Sequence, residues 1–164
     1  MAETLLFIQK HDFADFDALA DYADAASGRT KELTAKIKAA ESRMAEIAVL
    51  KTHIINYAKT RDIYTAYRKA GYSKKYYDAH ESDIIIHKAA KKVFDDLALK
   101  KLPTVKSLQA EYSDLLVQKK LDYAELSKAR DEAKRLQIYK ANAEMLLRTD
   151  ADEQRQTREH QQEK

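Results

Sequence analysis

Only two glycines and one proline punctuate the 164 residues of this chain. Tight chain reversals draw on glycine and proline, because these residues supply positive or fixed φ at little steric cost. A sheet-rich domain of this length needs many such reversals and cannot be assembled here. Gly28 and Gly71 stand too far apart to form a glycine-rich phosphate loop. Cysteine is absent, which removes disulfide frameworks and thiolate metal sites. The remaining class is all-α.

Apolar spacing agrees. From Thr30 to Ala70 a seam alternates steps of four and three through Leu33, Ile37, Ala40, Met44 and Ile47. It meets Lys51, where Leu50 alongside marks a shifted register, and resumes at Ile54 and Ala58. A second seam passes through Val105, Leu108, Tyr112, Leu115, Lys119, Asp122, Leu126, Ala129, Ala133, Leu136, Lys140, Ala143 and Leu147. Gly71 suits the position just past a helix end, Ser73 the cap of the next helix, and Pro103 the start of another. Asp12 and Asp15 read as a cap pair ahead of Phe16, and Ser27-Gly28 as a weak break.

The pattern predicts an elongated antiparallel coiled-coil hairpin over 27–148 with a small helical tip at about 59–118. Short acidic helices over 1–26 precede it, and a disordered polar tail over 149–164 follows. A three-helix bundle is the alternative, with 73–99 returning along the first long helix. Alanine, lysine and aspartate at seam positions favour the thinner two-helix contact.

Net charge is +3, unevenly placed. Residues 1–26 hold six acids and one base, whereas residues 27–71 hold ten bases and four acids. The apolar patch Leu5–Ile8 is too short for a signal peptide or a membrane span, so a cytoplasmic location and no membrane partner are expected.

Chemistry finds few footholds. The serines lack a nucleophile-elbow setting and the five histidines are scattered. His80, Asp83 and His87 share helical spacing, yet no HExxH motif accompanies them, so they read as packing or surface groups. No catalytic residue, metal or cofactor is expected. More informative is the stretch holding Tyr57, Tyr64, Tyr67, Tyr72, Tyr76 and Tyr77, six of the ten tyrosines. Lys59, Arg61, Arg68, Lys69, Lys74 and Lys75 are interleaved with them. Such a surface can hold single-stranded nucleic acid, the cations on phosphate and Tyr64, Tyr67 and Tyr72 stacking on bases. The same tyrosines also suit the edge of a small helical core.

Two stretches carry a family likeness: Lys51-Thr-His-Ile-Ile-Asn-Tyr-Ala-Lys-Thr-Arg61 and Tyr67-Arg-Lys-Ala-Gly-Tyr-Ser-Lys-Lys-Tyr76. His87-Lys-Ala-Ala-Lys-Lys92 and Lys101-Leu-Pro-Thr-Val-Lys-Ser-Leu-Gln-Ala-Glu-Tyr112 extend it. From about Leu5 to Leu147 the chain resembles the C-terminal helical region of relaxase/mobilization nucleases of conjugative or mobilizable elements. Relaxases nick one DNA strand with a tyrosine and a histidine-cluster metal site held in a separate N-terminal module. This sequence has no His-x-His dyad, so the resemblance implies a non-catalytic accessory region. Its implied partners are single-stranded DNA or other relaxosome proteins. A coiled-coil spacer, self-associating through seam residues such as Met44, Ile47 and Leu126, is the reading from a different class.

Overall fold

The computed structural model describes residues 1–11, 13, 15–99 and 101–162, and among them every regular element is helical. The helices are α1 (Ala2–His11), α2 (Phe16–Lys69), α3 (Lys74–Ala79), α4 (Glu81–Asp96) and α5 (Val105–Gln162). The fold is all-α.

Helix α2 begins where the sequence suggests. Asp15 Oδ1 accepts a hydrogen bond from the Ala18 amide at 2.9 Å, closing an N-cap. Asp12, the other half of the expected cap pair, lies outside the described residues. The helix then runs through Ser27-Gly28 without a break. Ser27 Oγ donates to the Ala23 carbonyl at 3.1 Å and Thr30 Oγ1 to the Ser27 carbonyl at 2.8 Å, so these hydroxyls join the helix instead of competing with it. A Cβ at Gly28 would meet nothing within 4 Å. Gly28→Ala is therefore expected to raise unfolding free energy by about 0.5–1 kcal/mol, read as a higher urea midpoint at constant slope.

Two compact units divide the chain. Unit 1 comprises residues 1–37 and 121–164, and unit 2 residues 38–120. Within unit 1, α2 and α5 pair antiparallel: Asp24 meets Lys140 at 3.0 Å, Arg29 meets Glu125, and Lys36 meets Asp122 at 3.1 Å. Leu33, Ile37, Leu126 and Ala129 form one buried cluster of this seam. Asp122 is 2% exposed, a polar group at a position that apolar residues occupy elsewhere along α5. Lys36, itself exposed, supplies its counter-charge from the solvent side, and a buried aspartate held this way fixes register more than it adds stability. The acidic N-terminal segment packs here too, because Asn142 Nδ2 donates to the buried Thr4 Oγ1 at 2.9 Å.

Unit 2 is antiparallel as well but gains a third layer. Arg43 forks onto Glu111, with Nε to Oε1 at 2.7 Å and Nη2 to Oε2 at 3.1 Å, and holds that carboxyl below its ordinary pKa. Helix α4 lies against α2 and α5 through Ala90 and Phe94, which join Ile47, Leu50 and Leu108 in one buried cluster. The register shift is real: after Ile47 the buried position is Leu50, while Lys51 hydrogen-bonds Gln109. Ile54 and Tyr57 continue the stripe, and Ala58 is exposed instead of carrying it. Three-helix packing thus reaches back along α2 to Ile47, beyond the 59–118 that the sequence suggests for a tip.

The two ends of the α3–α4 segment are closed by the same device. At Gly71 (φ 62°) the Gly71 amide donates to the Arg68 carbonyl and the Tyr72 amide to the Tyr67 carbonyl, both at 3.1 Å. This is a Schellman motif, completed by the Tyr72 ring lying edge-on to Tyr67 at 5.2 Å. Ser73 occupies the following cap position, but its side chain makes no cap hydrogen bond, contrary to expectation. At the far end Ala98 (φ 49°) takes glycine's place, with the Leu99 amide donating to the Phe94 carbonyl at 3.1 Å. A left-handed alanine costs about 1–2 kcal/mol, so Ala98→Gly is expected to stabilise unit 2 by about 1 kcal/mol in denaturant titration. Thr104 then caps α5, its Oγ1 accepting from the Ser107 amide at 3.0 Å.

The polar segment after Thr149 is helical as far as Gln162, not disordered as its composition suggests. Propagation explains it. A helix already nucleated by packed turns upstream extends cheaply through Ala, Glu, Gln and Arg, which are good helix formers.

Candidate nucleic-acid interface

Charge separates by unit. Unit 2 contains seventeen Lys or Arg against ten Asp or Glu, a formal +7, while unit 1 contains thirteen against seventeen, a formal −4. The cations of unit 2 also differ in their partners. Arg43 and Lys119 are engaged across the helix pair, by Glu111 and Glu41. Lys59, Arg68, Lys69, Lys74 and Lys75 are exposed and make no ion pair among the described residues. Arg61 touches the neighbouring Asp62 at 3.4 Å, with both side chains open to solvent.

Four of these cations flank one reversal. Arg68 and Lys69 occupy the last turn of α2, where positive charge also suits the helix dipole. Lys74 and Lys75 open α3 on the far side of Gly71 and Tyr72. A fifth cation arrives from α4, Lys88 Nζ lying 5.9 Å from the centres of both the Tyr67 and Tyr77 rings. The Schellman turn is what brings these chain-separated charges to one edge.

The tyrosines divide between roles. Tyr67 is 8% exposed and surrounded by the rings of Tyr64, Tyr72, Tyr76 and Tyr77, so it is a core residue and not a stacking platform. Tyr64 is half-buried, with one face on the His87 ring at 4.3 Å between centres. Tyr72 is 58% exposed and is the aromatic available to a base at this edge. No family model, curated protein or solved structure matches this chain.

His80, Asp83 and His87 are not brought together as ligands. His80 sits at the break between α3 and α4 with its ring on Tyr76 at 4.5 Å, while His87 is buried between Tyr57 and Tyr64. No group of three candidate metal-ligating side chains forms among the described residues. No described helix is long and apolar enough to cross a membrane.

Unit 1 holds an aromatic-lined cavity that chain spacing alone does not predict. Phe7, His11, Tyr22 and Tyr139 line a cavity of about 450 Å³ with Lys128, Asp131, Glu132 and Arg135 at its edge. Asp131 and Arg135, an i,i+4 pair by spacing, do not bridge, whereas Glu144 and Arg148 do at 2.6 Å. Both signs of charge line the cavity, so its electrostatics select no ligand. The aromatic spacing Phe7, His11 and Phe13 was the signal for a ring cluster here, and only the fold adds Tyr22 and Tyr139 to it.

Proposed function

We propose that unit 2 binds the sugar-phosphate backbone of single-stranded DNA at the α2–α3 turn. In line with the family resemblance, it would do so as a non-catalytic helical part of a DNA-mobilization relaxase. One observation carries the reading. Arg29, Lys36, Arg43, Lys119 and Lys140 along the helix pair are matched by carboxylates, whereas Arg68, Lys69, Lys74 and Lys75, four exposed cations within eight residues, flank one turn with no ion pair among the described residues. Unmatched cations on a fixed helical frame exchange condensed counterions for phosphate, and exposed Tyr72 offers a face to an unpaired base.

The test is a salt titration of binding to a labelled oligothymidine. Five contacting cations, counting Lys88, predict a slope of about −3.5 in log K against log[salt], at about 0.7 counterions per single-strand phosphate. No binding at low salt overturns the reading. A protein contact without nucleic acid is the second reading, favoured by the apolar groove that Val49, Leu50, Val93 and Leu97 line between α2 and α4. Val49 and Leu97 are exposed there, whereas Met44, Ile47 and Leu126 are buried within the chain and give a second copy nothing to grip. A concentration-dependent mass in sedimentation that Val49→Ser abolishes would favour that reading.

A further inference from the structure

We propose that His87 is a proton-operated latch between α4 and α2, closed when its ring is neutral and released when it gains a proton. The geometry is specific. The ring is 3% exposed and sandwiched between Tyr57 and Tyr64, with centre distances of 4.4 and 4.3 Å and planes within 22° and 17° of parallel. Nδ1 lies 3.0 Å from Thr60 Oγ1, itself buried. Thr60 has one hydroxyl hydrogen and donates it to the Asn56 carbonyl at 2.7 Å. The Thr60 oxygen must therefore accept, so His87 carries its hydrogen on Nδ1 and leaves Nε2 as the basic site.

Three residues on successive turns of α2, Tyr57, Thr60 and Tyr64, thus grip one residue of α4 from both faces and one edge. The groups that α2 turns toward the ring are the two phenols and the Thr60 hydroxyl, none of them charged at neutral pH. On α4 itself, Asp83 stands one turn before His87 and Lys91 one turn after it. Burial opposes a charged imidazolium first, and the Lys91 ammonium opposes it further, so the ring's pKa lies below its ordinary 6.5. The tyrosine faces attract a cation and so act in the opposite direction, and the ring titration reads the balance.

The sign follows from linkage. A histidine that titrates lower when folded stabilises the folded state above about pH 6.5, the unfolded value. That contribution is lost as pH falls from there through the folded pKa. Release should be local to α4, since Ala90 and Phe94 follow on the same buried face.

The experiment follows the His87 ring and the α4 amides by NMR on the full chain. The ring is expected to titrate below 6.5. Amide protection at Ala90 and Phe94, corrected for intrinsic exchange, should fall between pH 7 and pH 5, while protection at Leu126 and Ala129 holds. His87→Phe, which keeps two stacked faces and cannot be protonated, should remove the pH dependence of α4 protection. A ring titrating at or above 6.5 overturns the latch, and so does the same α4 response in His87→Phe. Should His87→Phe fail to fold, the wild-type ring titration and α4 protection decide alone.

Discussion

Replacing Arg68, Lys69, Lys74 and Lys75 together with alanine is expected to remove most single-stranded DNA binding at low salt. Each phosphate contact on a single strand releases about 0.7 counterions, so four lost contacts flatten the log–log salt slope by about 2.8. Between ~50 mM and ~1 M salt, where the electrostatic contribution vanishes, that slope amounts to roughly 3.6 decades of affinity. The variant should fold, because all four side chains are exposed and none holds an ion pair among the described residues. Arg68 and Lys69 do lie at the C-terminal end of α2, and losing them there costs about 0.3–1 kcal/mol each. A melting curve measured beside the binding curve separates that small cost from the large one.

Net charge alone would weaken binding anywhere on the chain, so position needs its own control. Lys128, Arg130, Lys134 and Arg135 on α5 are also exposed cations, and their removal changes net charge by the same amount. The α5 variant should retain the salt slope of the natural chain within about one unit. Equal losses in both variants would show that charge is acting at long range, and the α2–α3 turn would have no special part. Tyr72→Ala should lower affinity with the slope unchanged, since stacking releases no counterions, by about 1–3 kcal/mol if a base stacks there.

The long helices and most of their buried faces were legible because seam residues keep to steps of three and four, although Leu147 at the end of the α5 pattern is exposed. Leu108, Asp122, Leu126, Ala129, Ala133, Leu136 and Ala143 are all buried where the α5 pattern puts them. Gly71 announced its own turn, since a left-handed position calls for a residue without Cβ. Ala98 made the same turn invisible, because its left-handed backbone is forced by the Phe94–Leu99 closure and not by its own preference. Ser27-Gly28 misled in the opposite direction: hydroxyls that often pull a chain out of helix here bond back into it. At the candidate site the sequence located the cations but could not divide the tyrosines. Tyr64, Tyr67 and Tyr72 look alike along the chain, and only the return of α4 and the turn at Gly71 make one a core residue, one a histidine clamp and one a free face. His87 was least legible of all, because its partners Tyr57, Thr60 and Tyr64 lie on another helix.

Phe94→Ala is expected to be the most damaging single substitution in unit 2. Its ring is 7% exposed and belongs to the cluster of Ile47, Leu50, Ala90 and Leu108. It also meets Tyr57 edge-on at 5.4 Å between centres. Deleting a buried phenyl costs about 3–5 kcal/mol through lost transfer energy and the cavity left behind. A typical domain holds only about 5–15 kcal/mol in all, so a large share of the margin goes with it. A second loss compounds the first here. Phe94 is the residue whose carbonyl receives the Leu99 amide, and Leu99 packs on the same cluster to hold Ala98 in its strained conformation. Without the ring Leu99 loses part of the packing that offsets that strain, leaving the backbone closure to hold it, and the α4–α5 connection should open together with α4. Urea unfolding followed by far-ultraviolet circular dichroism should then show a first transition at low denaturant, with α4 amides losing protection while those at Leu126 and Ala129 keep theirs. Phe94→Leu, which refills most of the volume, should recover more than half of the loss. A cost below about 1 kcal/mol, the level of an ordinary surface change, would mean that α4 does not depend on this cluster for its place against α2 and α5.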